Sequence, residues 1–322
     1  MENNMPQRLS VSSSPHAHSG ESTAIIMQDV LIALVPAGIM SVIYFGWQAL
    51  MLIVLCTAAC VLTEYICRRV MKRPQTIGDF SAAVTGVLLA FNLPPTINPI
   101  YAVLGSVFAI VVVKQMFGGI GMNFVNPALA ARIFLLISFA QDMSEWSRPF
   151  FYLSSHSGTD VVSTATPLAQ MASDKTTFTT MELFIGMTGG CLGETCVIAL
   201  LLGGIYLVLR RVITLEIPLS FIGTVAVIAL IAGQNPLWHI MSGGVMLGAI
   251  FMATDYTTSP TTRIGKIIYG IGCGVITMTI RLFGSLPEGV SYSIVLMNIL
   301  TPHIETLTHS RPFGTEVSRN AK

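Results

Sequence analysis

The feature that most constrains this chain is a series of apolar runs, most of them long enough to cross the roughly 30 Å hydrocarbon core of a membrane. Five runs cover residues 24–43, 48–67, 80–93, 99–116 and 125–141, and five more cover 187–209, 216–233, 236–254, 265–282 and 289–304. Only 10% of the residues are charged, whereas soluble domains carry roughly 25%. The sequence therefore predicts an all-α polytopic membrane protein, with about ten transmembrane helices in the lipid bilayer.

The ten runs form two sets of five, which divide the chain into five parts. These are a cytoplasmic tail at 1–23, a five-helix half at 24–141, a loop at 142–186, a second five-helix half at 187–304 and a cytoplasmic tail at 305–322. Because five is odd, the second half is expected to be inverted relative to the first. The loop of roughly 45 residues is longer than a plain connection requires, which suggests a function for it.

The positive charges predict the orientation, since Lys and Arg concentrate in cytoplasmic loops. With the N terminus inside, thirteen of the 17 Lys and Arg residues fall on the cytoplasmic side, three fall outside, and Arg132 lies within a helix. Both termini are therefore predicted to be cytoplasmic, and the loop is predicted to be extracytoplasmic. A net charge of +1 gives no indication of nucleic-acid binding. The thirteen are Arg8, Arg68, Arg69, Lys72, Arg73, Lys114, Arg210, Arg211, Arg263, Lys266, Arg311, Arg319 and Lys322.

The third and eighth runs, which correspond in a five-plus-five repeat, share a pattern of small residues and a proline break. Ser81 precedes Pro99 by 18 positions, and Ser242 precedes Pro260 by the same interval. Paired interruptions of this kind indicate a central site in inverted-repeat membrane proteins. The alternative is that the small residues only allow close helix packing.

Few charged residues lie within or at the ends of the runs, and such residues are candidates for function because they are costly in a membrane. They are Asp29, Glu64, Arg132, Glu194, Asp255 and Arg281. Most lie within about a turn of a predicted helix end, from which they are expected to reach the interface. We select Asp255, with Thr257 and Thr258, because it adjoins the repeated break.

The sequence predicts no metal site and no complete set of catalytic residues. The six Cys residues include no Cys-x-x-Cys pair and are interpreted as core thiols, although Cys56 and Cys60 share a helix face and could instead bind a metal. Neither a Gly-x-Ser-x-Gly nor a His-Glu-x-x-His motif occurs. A nicotinamide-binding fingerprint and an iron–sulfur cysteine pattern are also missing from the sequence.

A small polar run lies within the loop, where residues 160–168 read Asp-Val-Val-Ser-Thr-Ala-Thr-Pro-Leu. Pro167 disfavours the α conformation at Thr166, so we expect Thr166 to be extended or turning and accessible to an enzyme. The order Asp-x-x-Ser-x-Ala-Thr resembles the flavinylation motif of membrane electron-transfer proteins. Taken alone, the run is equally consistent with a Ser/Thr-rich connection.

The whole sequence resembles the family that contains the D subunit of the Rnf complex and, more distantly, the B subunit of the sodium-pumping NADH:quinone reductase. Beyond the motif, the resemblance rests on residues 13–16, on 26–30, on Asn126-Pro127 and on 254–260. One departure is Thr164, where many members have Gly.

This resemblance implies specific cofactors and maturation. In the family, a transferase attaches FMN through its phosphate to the last Thr of the motif, on an extracytoplasmic loop. Thr166 would therefore carry covalent FMN, and Asp160, Ser163 and Ala165 would complete the motif. The family also implies a second, non-covalent flavin such as riboflavin, for which the broken segments 81–99 and 242–260 are our candidate site.

The expected function is that of one component of an ion-translocating ferredoxin:NAD oxidoreductase in the cell (inner) membrane. Electron transfer would be coupled to Na⁺ or H⁺ movement, and partner subunits would supply the missing nicotinamide and iron–sulfur sites. The alternative is an inverted-repeat channel or transporter of the urea or ammonium type, which explains the helices but leaves the motif without a role.

Overall fold

The computed structural model describes residues 22–154, 165–173, 177–284 and 288–309. Within these ranges the regular elements are helices and no strand occurs. Three of the described helices are long and apolar enough to cross a membrane, and five shorter apolar helices accompany them. The predicted class, an all-α polytopic membrane protein, is confirmed.

The first part of the chain follows the predicted runs. Its helices are α1 (Thr23–Phe45), α2 (Trp47–Val70), α3 (Ser81–Phe91), α4 (Pro99–Phe108) and α5 (Pro127–Ser138). A 3₁₀ turn over Ile77–Asp79 precedes α3, and α4 continues as a π-helix over Ala109–Gln115. At the start of α5 the Asn126 side chain accepts a hydrogen bond from the Ala128 amide, and Pro127 occupies the first helical position, where no amide hydrogen is needed.

Short helices occupy the described parts of the loop. They are a 3₁₀ turn over Asp142–Ser144, α6 (Phe151–Ser154), α7 (Pro167–Ala172) and α8 (Thr180–Ile185). A capping box starts α8, since the Thr179 side chain accepts from the Glu182 amide and the Glu182 carboxylate accepts from the Thr179 amide.

The remaining helices form the second part of the chain. They are α9 (Val197–Leu209), α10 (Glu216–Ile231), α11 (Pro236–Met241), α12 (Val245–Leu247), α13 (Arg263–Phe283) and α14 (Val290–Thr308). A π-helix over Gly248–Met252 continues α12. The eighth run is therefore interrupted after α11, where Gly243 has a φ of +64°.

The sixth run differs from its prediction, because residues 187–196 are not helical. The Leu192 amide instead donates to the Leu93 carbonyl at 3.1 Å, and the Gly193 amide donates to Phe91 at 2.9 Å. A Cβ at Gly193 would lie 2.3 Å from the Phe91 side chain, so only glycine allows this approach. Irregular backbone is tolerated at membrane depth when protein surrounds it. Apolar composition alone does not distinguish such a segment from a helix.

Helix α1 packs against α9, and the two run antiparallel. Near the start of α1, Asp29 binds Arg210 just beyond the end of α9 at 3.1 Å. Near the end of α1, the Tyr44 hydroxyl donates to the carbonyl of Ile185, which precedes α9. The first helices of the two predicted halves therefore cross in opposite directions, as inverted halves require.

The halves also use similar internal packing. Helix α2 packs on α3 and α4, and α10 packs on α11 and α13. Across the halves, α5 packs on α14. The first broken segment thus packs on α2 through α3, and the second packs on α10 through the π-helix over Gly248–Met252.

Glu64 and Lys114 form a buried ion pair, which corrects two expectations. Glu64 is 0% exposed and Lys114 is 3% exposed. Lys114 Nζ donates to Glu64 Oε2 at 2.9 Å and to Ser81 Oγ at 2.6 Å, and Gln115 donates to Glu64 Oε1 at 2.9 Å. Glu64 therefore does not reach the interface, and Lys114 is not a cytoplasmic loop cation. The π-helix places Lys114 and Gln115 together on the buried side.

We predict that Gly203→Ala in α9 destabilises the protein by about 1–3 kcal/mol, because an added side chain would overpack the contact with α1. A Cβ at Gly203 would lie 2.1 Å from the Ala33 carbonyl oxygen. Gly223→Ala in α10 is the matched control, since nothing lies within 4 Å of its Cβ position. Thermal unfolding in detergent measures the difference, and equal melting temperatures would contradict the described α1–α9 contact.

We predict that Lys114→Met destabilises the protein by about 3–5 kcal/mol, because it leaves the Glu64 carboxylate buried and uncompensated. Adding Glu64→Gln to Lys114→Met removes that charge and is expected to restore most of the loss. Thermal unfolding of both variants in the same detergent is the measurement. A double variant less stable than Lys114→Met would show that the two residues do not act as a pair.

Candidate functional site

Thr166 occupies the N-cap position of α7. Its backbone is extended, with φ −62° and ψ 157°, and Pro167 is the first helical residue. The Thr166 hydroxyl accepts a hydrogen bond from the Ala169 amide at 3.2 Å. The extended conformation predicted from Pro167 is therefore present, and the reason is that proline suits the first position of a helix but disfavours the α conformation in the residue before it.

The expected accessibility of Thr166 is not found, since the residue is only 9% exposed. Its hydroxyl accepts a hydrogen bond as the cap of α7, and Thr166 lines one cavity while its neighbours Ala165 and Pro167 line a second one. Ala165 is exposed, and its carbonyl accepts from the Gln170 side chain at 3.2 Å. Asp160 and Ser163 lie outside the described residues, so the geometry of the complete motif is a prediction.

A wide cavity of about 290 Å³ adjoins Ala165 and Pro167. Arg148, Phe178 and Glu182 also line it. The Thr179 amide donates to Glu182 Oε2 at 2.7 Å and holds the pKa of that carboxyl below its usual value. This cavity therefore combines a cation, an anion and an aromatic ring next to the threonine segment.

On its other side Thr166 lines a smaller cavity of about 30 Å³, which we call the inner cavity. Glu194, Ser242, Gly243 and Glu288 line it as well. It therefore joins the threonine segment to the irregular stretch before α9, to the break after α11 and to the residues before α14.

Beneath the inner cavity lies a buried polar cluster centred on Arg132, which is 2% exposed. Its guanidinium donates to Asn92 Oδ1 at 2.7 Å, to Cys191 Sγ at 3.3 Å and to the Glu288 carboxylate. Glu194, 5% exposed, accepts from the Cys191 amide at 3.0 Å. Arg132 was expected inside a helix, and it lies there; Glu194 is buried with it, because the turn after α3 and the irregular stretch enclose both residues.

Sequence reasoning missed Asn92 and Glu288 as site residues. The signal that could have found them is Arg132 itself, because an arginine in the middle of a membrane helix needs an acidic or carbonyl partner. Which acid supplies it depends on the tertiary fold, since Glu288 is 156 residues away.

Arg281 secures the break after α11. It donates to the carbonyls of His239 at 2.6 Å and Ser242 at 3.0 Å, and to the Glu288 carbonyl at 3.3 Å. Interrupting a helix frees its carbonyl oxygens, and in a membrane these need a protein donor. Arg281 is therefore a structural cation of the broken segment.

A third cavity, of about 100 Å³, lies at the other end of α3. Both broken segments line it, Ser81, Thr85 and Leu88 from one and Asp255 and Thr257 from the other. The two segments that share the sequence pattern therefore line one cavity, which we call the central cavity. Lys114, Asn123 and Asn126 contribute further polar groups, and Val84, Phe251 and Ile213 contribute apolar walls.

Asp255 lines the central cavity as expected, and its neighbours orient it. Its Oδ2 accepts from the hydroxyls of Thr257 at 3.0 Å and Thr258 at 3.3 Å. Thr258 is buried and does not line the cavity. An apolar cavity with a few convergent polar groups is typical of a small-molecule or cofactor site.

Helix α3 connects the two sites. Ser81, at its start, lines the central cavity, and Asn92, just after its end, binds Arg132. At 1.5 Å per residue this separation is about 16 Å along the helix axis. Five of the six Cys residues are buried, and Cys56 and Cys60 are both 0% exposed, as expected for core thiols. Cys67 is only half-buried, so it is not the core thiol that the sequence predicted.

The chain is similar to characterised proteins along almost its whole length. It is 51% identical to the D subunit of the Na⁺-translocating ferredoxin:NAD⁺ oxidoreductase complex of Acetobacterium woodii, over 98% of each chain. It is 41% identical to the D subunit of the proton-translocating ferredoxin:NAD⁺ oxidoreductase complex of Clostridium ljungdahlii, over 95% of this chain and 96% of that one. It is 33% identical to the D subunit of an ion-translocating oxidoreductase complex of Escherichia coli, over 94% and 98% of the two chains.

A family model described as the NQR2, RnfD, RnfE family matches residues 10–314. The match covers both sets of helices, the loop with Thr166 and both broken segments. The family model and the three relatives each match nearly the whole chain, so the family assignment does not rest on one segment. This chain is therefore a member of the NQR2, RnfD, RnfE family.

Proposed function

We propose that this chain is a membrane flavoprotein subunit of an ion-translocating ferredoxin:NAD oxidoreductase complex, with covalent FMN on Thr166. Similarity over nearly the whole length to the D subunits of such complexes supports the assignment. The observation that carries it is the position of the threonine segment, in which Thr166 lines the inner cavity and its neighbours Ala165 and Pro167 line the wide cavity. A threonine in a loop that only connects two helices would not need cavities beside it.

The residues around Thr166 fit a phosphoester-linked flavin. Phe178 offers an aromatic face, and Arg148 offers a guanidinium to a negatively charged group. Pro167 and the cap of α7 hold the threonine backbone in one conformation. A bound flavin would supply one- or two-electron transfer, and this chain would supply its position and electrostatic surroundings.

The burial of Thr166 has a consequence for maturation. An FMN transferase needs the hydroxyl as a nucleophile, but in the folded chain this oxygen caps α7 and the residue is 9% exposed. We therefore infer that attachment occurs while α7 is open, either before the loop packs or during a local opening of it. A six-residue helix such as α7 has few contacts to break.

The central cavity is our site for a second, non-covalent flavin such as riboflavin. Its support is that both broken segments line it, as expected, and that Asn123, Asn126 and Asp255 offer hydrogen-bond partners among apolar walls. No covalent attachment point is required there.

We infer that the Thr166 loop lies outside the cytoplasm, as the distribution of Lys and Arg predicts. A supporting contact is the ion pair between Asp29, near the start of α1, and Arg210. Arg210, one of the predicted cytoplasmic cations, therefore lies at the same end of the bundle as the start of α1. Partner subunits would supply the nicotinamide and iron–sulfur sites, and either Na⁺ or H⁺ would be the coupling ion.

We predict that Thr166→Ala abolishes the covalent flavin. Wild type and variant are co-expressed with an FMN transferase, and flavin fluorescence is recorded in a denaturing gel. Thr177→Ala is the matched control, because Thr177 lies in the same loop and lines the wide cavity but is outside the motif. The wild type and control are expected to fluoresce, and Thr166→Ala is expected to be dark.

A dark wild-type band despite an active transferase would refute the covalent site. It would leave the chain in its family but without a covalent flavin, and the transporter alternative would still have no observation in its favour. Fluorescence retained in Thr166→Ala would instead move the attachment to another residue.

We predict that Thr85→Phe lowers the content of extractable flavin at least twofold, because Thr85 is 7% exposed and its added ring would fill the central cavity. The experiment uses the Thr166→Ala background, in which released flavin reports only the non-covalent site. Val87→Phe on the same helix is the control, since Val87 lines a groove with α1 residues and not the central cavity. Equal flavin content in both variants would place the second flavin elsewhere.

A further inference from the structure

We propose that the inner cavity is a binding site for a small alkali cation, Na⁺, coordinated by Glu194, Glu288 and Ser242. The three residues come from the irregular stretch before α9, the segment before α14 and the break after α11. They converge on one cavity of about 30 Å³. A volume of this order holds one water molecule or one small ion.

Three polar atoms of the residues that line this cavity have no hydrogen-bond partner among the described residues. They are Glu194 Oε2, Glu288 Oε1 and Ser242 Oγ. Glu194 is 5% exposed and Ser242 is 1% exposed. Buried oxygen atoms without a hydrogen-bond donor are costly. The Glu194 and Glu288 carboxyls lie close enough to share a proton, but a shared proton would leave Ser242 Oγ without a partner, whereas one cation could bind all three oxygens.

Neither neighbouring guanidinium donates to Glu194. In the described part of the chain, no Lys or Arg nitrogen lies within 4.0 Å of the Glu194 carboxylate. Arg132 is bound to Glu288, and Arg281 donates to three backbone carbonyls. The two guanidiniums balance the charge of the two carboxylates, but they leave Glu194 Oε2 and Glu288 Oε1 without an N–H donor. One water molecule has two hydrogens to donate, whereas a single cation can be coordinated by all three oxygens.

The donor atoms favour a hard cation. Carboxylate and hydroxyl oxygens are ligands for alkali and alkaline-earth ions. Cys191 Sγ lies within 4.8 Å of carboxylate oxygens of Glu194 and Glu288, which would suggest a softer metal. That thiol, however, donates to the Asn92 carbonyl at 3.3 Å and contacts Arg132, so it is protonated and engaged. A thiolate ligand for zinc is therefore not offered here.

The cation site adds a binding site for the coupling ion to the proposed function, because Thr166 lines the same cavity as the three ligands. It rests on that function for its role in ion movement, but cation binding itself does not require a flavin. Bound Na⁺ would lie beside the threonine that carries the proposed phosphoester, so ion occupancy and the charge at Thr166 would influence each other through one small cavity.

The test is Na⁺ titration of the purified complex that contains this chain, followed by carboxylate bands in infrared difference spectra and by binding of radioactive Na⁺. We expect the wild type to show a saturable carboxylate response, and Glu194→Gln to lose it and weaken binding at least about tenfold, or 1.4 kcal/mol. Ser242→Ala keeps both carboxylates and is expected to weaken binding by about three- to tenfold. Glu182→Gln, on an exposed cap of the same loop, is the control and is expected to match wild type.

Several outcomes would overturn the site. A wild type whose carboxylates respond to pH but not to Na⁺ would mean that Glu194 holds a proton, and the absence of either response would mean an ordered water only. An unchanged Na⁺ response in Glu194→Gln, or binding of Zn²⁺ in place of Na⁺, would also refute it. Thr166→Ala is expected to lose covalent flavin but retain the Na⁺ response, so failure of the flavin site and failure of the cation site are distinguishable.

Discussion

The fold depends on one constraint, that polar groups at membrane depth must find their partners within the protein. Arg132 shows how this constraint organises the chain. Its guanidinium contacts the turn after α3 through Asn92, the irregular stretch before α9 through Cys191, and the start of α14 through Glu288. Both halves therefore meet at one buried cation, and neither half could satisfy it alone.

The same constraint explains why the bundle contains irregular backbone. Residues 187–196 leave the helical conformation, but two of their amides bond to Phe91 and Leu93, and Gly193 allows the two backbones to approach. The break after α11 frees carbonyls that Arg281 binds. The backbone thus leaves the helical conformation where a buried side chain or a neighbouring backbone supplies the missing hydrogen bonds. The inner cavity is lined by residues of both irregular segments.

Helix α3 gives the arrangement a functional geometry. One end borders the central cavity through Ser81, where Lys114 and Glu64 form a buried ion pair, and the other end leads to Arg132 through Asn92.

The sequence alone determined the class of the protein, because low charge and long apolar runs leave helices in a membrane as the solution. It also determined the extended backbone at Thr166, which Pro167 imposes locally, and the pairing of the two broken segments, which a shared spacing revealed. It did not determine which charges are buried. Lys114 was expected to be a loop cation and Glu64 an interfacial acid, yet both are enclosed because a π-helix and α2 bring them together. Only the tertiary structure decided the partners of Arg132, the irregular path of 187–196 and the burial of Thr166, because each depends on contacts between segments that are far apart in the chain.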